Sequence, residues 1–573
     1  MRLESPLARS TGARLLCLAS AFYTAAILVW MLLLWTARGV DDLTETRVIH
    51  GLATIFFVLF ARDDRGGAVC ALVILVLAAL LPAQARTRQF VRWVGKHPVP
   101  VALAACAAMA WGAVFIYRDH PLSMDEYAAW FQGQVFAAGH LSGKLPPPLL
   151  DWLIPPGFHD VFLNVSPAGD VTSSYWPSFS LLLAPFVWAG APWLCNPIIS
   201  ALTLLVIHRM AVQLFQDQEA AGYATLLTVA SPVLFADGIS YYAMPAHLLA
   251  NCLYALLLMQ PTAGRAFLAG VVGSVALTLH NPVPHALFAL PWLVWLALRT
   301  DRWKLLGPII AGYLPLGLLL GVGWFLFSLQ LTHASTGMAT SPDVHAGLSH
   351  ALSVFRLPTA TVLLARVIGI CKIWVWSVPG LMLLATVGAW QWRDNPACRL
   401  LAASAVLTLV GYVLVPVDQG HGWGYRYFHS AWMALPLLSA GAMYGQGAQP
   451  DRPAHSMFFG DGGVKTFVAS CAVLSLILGV GYRAVQMREF ISGNLSQVPD
   501  YFLSGPRIIV IDDSDGFYNA ELVQNDPWLR GDVVRLYSHG DDETIVANVI
   551  RHNFPKALQV YSDDYGSVWT NPR

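Results

Sequence analysis

The chain has 573 residues, of which 12% are charged and 56% apolar, with 34 Lys and Arg against 34 Asp and Glu. Soluble domains carry about 25% charged residues, so this composition and a mean hydropathy of +0.55 exclude an ordinary soluble domain. They point to an all-α polytopic membrane protein. A net charge of zero offers no electrostatic case for nucleic acid.

The first apolar runs cover residues 15–35, 48–60 and 68–81. The first is too long for a signal-peptide core and reads as a retained membrane helix. The next two are short for a span of ~20 residues. Arg2, Arg9 and Arg14 and the segment with Arg86, Arg88, Arg92 and Lys96 both belong on the cytoplasmic side. One short run therefore fails to span, or the two pair as a single bent unit. Residues 99–117 then cross outward and deliver Ser123-Met124-Asp125-Glu126-Tyr127 to the outer side.

The outer loop that follows, residues 118–174, is rich in proline and long enough to be functional. Residues 175–188 contain Pro177 and Pro185 and read as a broken or in-plane helix. Further apolar runs alternate from residue 221 to residue 480, with a second outer loop at 332–358. Lys and Arg gather in the loops assigned to the cytoplasm, which gives about thirteen transmembrane helices. From residue 482 the chain becomes polar, with β-like runs at 508–511, 533–537 and 558–561 and helix-like stretches at 518–524 and 543–552. This reads as a small C-terminal α/β extramembrane domain on the outer, periplasmic side. The expected domains are residues 1–98, 99–481 and 482–573, in a multi-pass protein of the cell (inner) membrane.

Several polar groups interrupt the apolar chain. Asp125 and Glu126 are costly to place beside a membrane helix and are the candidate catalytic pair; the bland reading is an acidic helix terminus meeting an Arg. Most histidines fall in outer loops. His280 and His285 flank a Pro-broken turn that suits a phosphate or a metal, or is a structural turn. Gly420-His421-Gly422-Trp423-Gly424-Tyr425-Arg426-Tyr427 combines close backbone approach with a phosphate-binding Arg; Tyr425 and Tyr427 could stack on a sugar. Otherwise it is an interfacial aromatic turn. Lys372 is a snorkelling residue or a phosphate ligand. Asp237, Tyr242 and His247 form a supporting polar group at another helix break. The eight cysteines lie in or beside apolar runs without Cys-x-x-Cys spacing and read as buried hydrophobes.

These motifs, in this order, resemble the polyprenyl-phosphate-sugar-dependent membrane glycosyltransferases of the GT-C superfamily, which include the protein O-mannosyltransferases and aminoarabinose transferases. The resemblance covers residues 99–480. It rests on Asp125-Glu126, Ala137-Ala138-Gly139-His140-Leu141, Tyr175-Trp176-Pro177-Ser178, His208-Arg209 to Leu214-Phe215, Ser231-Pro232 and Gly424-Tyr425-Arg426-Tyr427. Met244 stands before Pro245 where many members have an acid, and Asn281-Pro282 replaces a frequent Arg-Pro.

The resemblance implies inverting transfer of a sugar from a polyprenyl-phosphate-linked donor to a glycan, lipid or protein acceptor at the outer face. It makes Asp125 the base, Glu126 its support or a ligand of a divalent metal ion, and Arg426, with Lys372 or His285, the phosphate-binding group. A non-catalytic transporter or assembly partner for lipid-linked glycans is the competing reading. The sugar, the acceptor and the metal are open at this point.

Overall fold

The computed structural model describes residues 10–38, 52–80, 85–333, 357–416, 419–444, 460–499, 505–512, 518–540 and 542–571. Most of the outer loop expected at 332–358, with His345, His350 and Arg356, lies outside them.

Among the described residues, six helices are long and apolar enough to cross a membrane, or seven when the pair Gln218–Val229 and Pro232–Gly238, bent by 60°, counts as one. Six shorter apolar helices of 10–17 residues pack among them. Their outward faces carry exposed Leu, Val, Ile and Phe, as Leu318, Leu319 and Val322 do, and a lipid-facing surface wants such side chains. Small residues let backbones approach. Gly270 and Gly312 place the helices Ala263–Leu277 and Arg302–Leu316 so close that a Cβ at either would collide with the other's backbone.

The two short N-terminal runs form one helical segment, residues 52–80, continuous through a π-helical turn at Leu59–Asp63. Within the apolar stretch that follows the 332–358 loop, the chain forms two helices, Ala360–Val375 and Leu381–Gln391. The chain breaks between them where Pro379 lacks an N–H and Gly380 adopts φ 86°. Arg88 and Arg92 both bind Glu219, at 2.9 and 3.0 Å, so the first basic segment and the 216–219 turn share one end of the bundle.

At the other end, residues 118–174 are folded rather than a bare loop. The helix Met124–Ala137 is followed by a three-stranded antiparallel sheet of β1 (Gly143–Lys144), β2 (Leu163–Val165) and β3 (Asp170–Ser173), with β3 central. The last long helix runs Gly462–Leu495, straight through the boundary expected at 481/482.

The chain ends in a four-stranded sheet in the order β5-β4-β7-β6, built from β4 (Arg507–Ile511), β5 (Val533–Tyr537), β6 (Gln559–Asp563) and β7 (Gly566–Thr570). β4 and β5 are parallel. The helix Glu543–Asn553 buries Val546 and Ile550. One apolar cluster joins Tyr127, Ala128 and Phe131 to Ile508, Val510, Val534 and Leu536. The C-terminal sheet therefore sits on the helix that carries Asp125, and both lie on one side of the bundle.

Candidate active site

Ser123 ends an extended segment and caps the helix Met124–Ala137. Glu126 occupies the third helical position and closes a capping box. It is fully buried. Its oxygens accept from the backbone N–H of Leu122 at 3.0 Å, Ser123 at 3.2 Å and Tyr241 at 2.8 Å, and from the Tyr117 hydroxyl at 2.9 Å. With its lone pairs so occupied, Glu126 ties the helix start to the 240–242 turn, and burial, outweighing these bonds, pushes its pKa up to about 7.

Asp125 points the other way. One oxygen accepts from the Tyr175 hydroxyl and the other from Arg426 Nη2 at 2.8 Å. The Asp125 side chain keeps 21% exposure, against 5% for Arg426. Burial alone would raise the Asp125 pKa; Arg426, His280 and the Tyr175 bond outweigh it and hold it below the usual carboxylate range. Asp125 is thus ionised at neutral pH and within reach of solvent.

Arg426 is set by the glycine-rich loop before it. Its backbone N–H donates to Gln419 Oε1 at 2.8 Å, and Nη2 also donates to the Gln419 carbonyl. The guanidinium lies over the Tyr242 ring at 4.5 Å. Gly422, at φ 153°, presses on the Arg426 side chain where a Cβ would collide. The buried Arg426 Nε has no partner among the described residues. A cation with an unused donor is a ready receptor for an anionic oxygen.

The Tyr175 ring packs against His280 with centroids 3.9 Å apart and the planes tilted by 36°. Burial pushes the His280 pKa down to about 4, so the imidazole is neutral at pH 7. Tyr242 bonds Ser123 at 2.9 Å and approaches His421 Nδ1 at 3.4 Å.

Beyond His421, Gly422 and Trp423 lies a cavity of about 330 Å³ whose far wall is a second charged cluster. There Asp64 accepts from Lys372 at 2.6 Å, Trp376 at 2.7 Å and Arg483 at 3.0 Å. Arg483 stacks on Trp376 at 3.8 Å.

The structure thus brings Asp125, Arg426, Tyr242 and His280 together. Lys372 belongs to the Asp64 cluster, across the cavity. His285 lies apart, bonded to Asn251 at 2.6 Å and Tyr313 at 2.8 Å. Tyr427 stacks on Tyr412 at 4.2 Å, and Tyr425 packs against Gly369. Asp237 pairs with His429 at 2.8 Å inside the bundle, and both nitrogens of buried His247 lack a partner among the described residues. No group of three or more His, Cys, Asp or Glu among the described residues is placed to hold a metal ion.

Tyr175, Gln419, Asp64 and Arg483 were not singled out from the sequence. Asp64 and Arg483 did carry a signal, as charged residues flanking apolar runs. Tyr175 stood in a quoted motif without a role.

An ionised carboxylate paired to an Arg thus stands at the end of a helical bundle that has, among the described residues, six or seven spans long and apolar enough to cross a membrane, roofed by a small sheet unit. Two solved structures share that fold: ArnT from Cupriavidus metallidurans bound to undecaprenyl phosphate, and the same protein in the apo state. Each aligns with a TM-score of 0.50 at 13% identity, over 83% of this chain and 98% of its own. No protein-family profile and no curated protein matches the chain.

Proposed function

We propose that this protein is a membrane glycosyltransferase that moves a sugar from a polyprenyl-phosphate donor to an acceptor hydroxyl at the outer face of the membrane. The observation that carries this reading is the Asp125–Arg426 pair, a base and an anion receptor at one point of an ArnT-like fold. The binding of undecaprenyl phosphate by the ArnT relative supports a lipid-linked phosphate as the ligand class.

In this mechanism the donor phosphate meets the unused Nε of Arg426 and draws the guanidinium toward itself, which frees one oxygen of Asp125. The acceptor oxygen attacks the anomeric carbon from the face opposite the phosphate. The carbon–oxygen bond to phosphate breaks, polyprenyl phosphate leaves with the bonding pair, and the acceptor proton passes to Asp125. Inversion at carbon follows from the single displacement. Tyr175 holds the Asp125 rotamer throughout. The neighbouring cavity carries Arg62, Lys372 and Arg483 against Asp63, Asp64 and Glu489, so its lining is balanced in charge and Arg426 is the anion receptor.

The test is a panel of undecaprenyl-phosphate sugars offered to the purified full chain, with binding and sugar transfer measured together. The reading expects one donor to be bound and consumed. Binding without consumption, with transport of the lipid across a vesicle membrane, would overturn it in favour of a transporter.

A further inference from the structure

The C-terminal unit does more than cover the site. Its segment 518–525 grips the start of the Asp125 helix on both sides of the carboxylate. Gln524 Nε2 donates to the Pro121 carbonyl at 2.7 Å. The Tyr127 hydroxyl donates to the Asn525 carbonyl at 2.6 Å and accepts from the Asn525 N–H at 2.9 Å. Between these, Glu521 Oε2 accepts from the Met124 N–H at 2.7 Å, one residue before Asp125. That bond is the one hydrogen bond of the Glu521 side chain among the described residues, and it leaves the second carboxyl oxygen uncommitted. Tyr518, from the same segment, packs edge-on to His421 at 5.4 Å, beside the cavity.

We propose that Glu521, delivered by the C-terminal unit, is a ligand-contacting residue of the Asp125 site: its uncommitted carboxyl oxygen binds an oxygen of the lipid-linked phosphate held at Arg426. This rests on the donor reading above and adds to it a third carboxyl group from outside the helical bundle.

A carboxylate would repel that phosphate, so the contact needs Glu521 in its acid form. The surroundings supply this. Among the described residues, the titratable groups facing Glu521 are Asp125 and Glu126 from the helix, Arg426 from the glycine-rich loop, and Tyr518 from its own segment. Burial, and then the two neighbouring carboxylates, outweigh Arg426 and the Met124 N–H and push the Glu521 pKa up to about 8. Asp125 is held down by its pairing with Arg426 while Glu521 is held up, and two carboxyl groups pushed apart in this way take opposite roles. Below pH 8 the Glu521 carboxyl O–H donates to a phosphate oxygen of the ligand. Above pH 8 it ionises, loses the donor and places a negative charge beside the phosphate.

The experiment is binding of undecaprenyl phosphate to the full chain in nanodiscs between pH 6.5 and 9.5, for wild type, Glu521→Gln and Glu521→Ala. Glutamine still accepts from Met124 N–H and still donates, but does not titrate. Wild-type affinity should fall about tenfold from pH 7 to 9.5, the scale of losing one hydrogen bond to a charged group. Glu521→Gln should bind about threefold more weakly at pH 7 and hold that affinity flat to pH 9.5. Glu521→Ala should lose about tenfold at pH 7. Parallel pH profiles for wild type and Glu521→Gln would overturn the proposal and leave the donor reading standing. A wild type that binds no undecaprenyl phosphate at any pH would overturn both.

Discussion

Asp125 and Asp64 are two carboxylates in one apolar protein, and their surroundings give them different work. Asp64 is 1% exposed and takes bonds from a lysine, an arginine and an indole, with two cations for one negative charge. Asp125 has one cation and one phenol, retains solvent contact, and its Arg partner keeps an unused donor. The first arrangement is saturated and suits a structural node. The second is incomplete in the way a working site must be, because a ligand has something to bind and a proton has somewhere to go. Glu126, adjacent to Asp125, falls with Asp64: its lone pairs are committed to the fold.

The contrast breaks most visibly on Asp125→Asn. Loss of a general base typically costs ~10²–10⁴-fold in rate, so turnover should fall by that range while the folded protein survives. Asp64→Ala should do the reverse. It leaves Lys372 and Arg483 buried and unpaired, which costs about 3–5 kcal/mol of stability, visible as a lower melting temperature in detergent before any activity is assayed. Wild-type stability in that variant would mean the cluster is hydrated and not a node.

Glu126→Gln sharpens the comparison within one dipeptide. It turns one buried acceptor oxygen into a donor facing backbone N–H groups, which costs about 1–3 kcal/mol, and stability should drop more than for Asp125→Asn; turnover should drop less. Arg426→Lys keeps the charge but loses the planar fork and the stack on Tyr242, and should weaken undecaprenyl phosphate binding about tenfold.

The smallest effect concerns pH. Glu521 is raised in the folded state to about 8 from an ordinary value of 4.5. The folded chain holds a proton that the unfolded chain has released, so this group makes stability decline as pH rises between those values. Glu521→Gln should flatten that slope in melting curves taken from pH 5 to 8.

How much of this could be read from residues alone follows from the same physics. Asp125, Arg426 and the histidines of the 280–285 turn stood out because an ionisable group in an apolar chain is conspicuous, but Lys372 or His285 was expected beside Arg426, and it is His280 that lies near Asp125. The partner of Lys372 was hidden. Asp64 lies 308 positions away, and no local spacing links them. Glu126 beside Asp125 looked equivalent, since two adjacent acids share one composition signal. Only the donors around each tell them apart. Glu521 was one acid among many in a polar tail, and the docking that makes it special is a tertiary event. Strands at 508–511 and 533–537 were legible from β-branched runs, whereas β7, with Gly566 and Ser567, lacked that signature. The break at 376–380 was masked by the apolar residues on either side of Pro379.

The central claim is that Asp125 moves a proton while Arg426 holds a phosphate. The direct test measures sugar transfer and undecaprenyl phosphate affinity side by side in purified Asp125→Asn and Arg426→Lys. We predict that Asp125→Asn loses transfer by ~10²–10⁴-fold and keeps its affinity within about threefold, and that Arg426→Lys loses affinity. An Asp125→Asn protein with wild-type transfer would contradict the account.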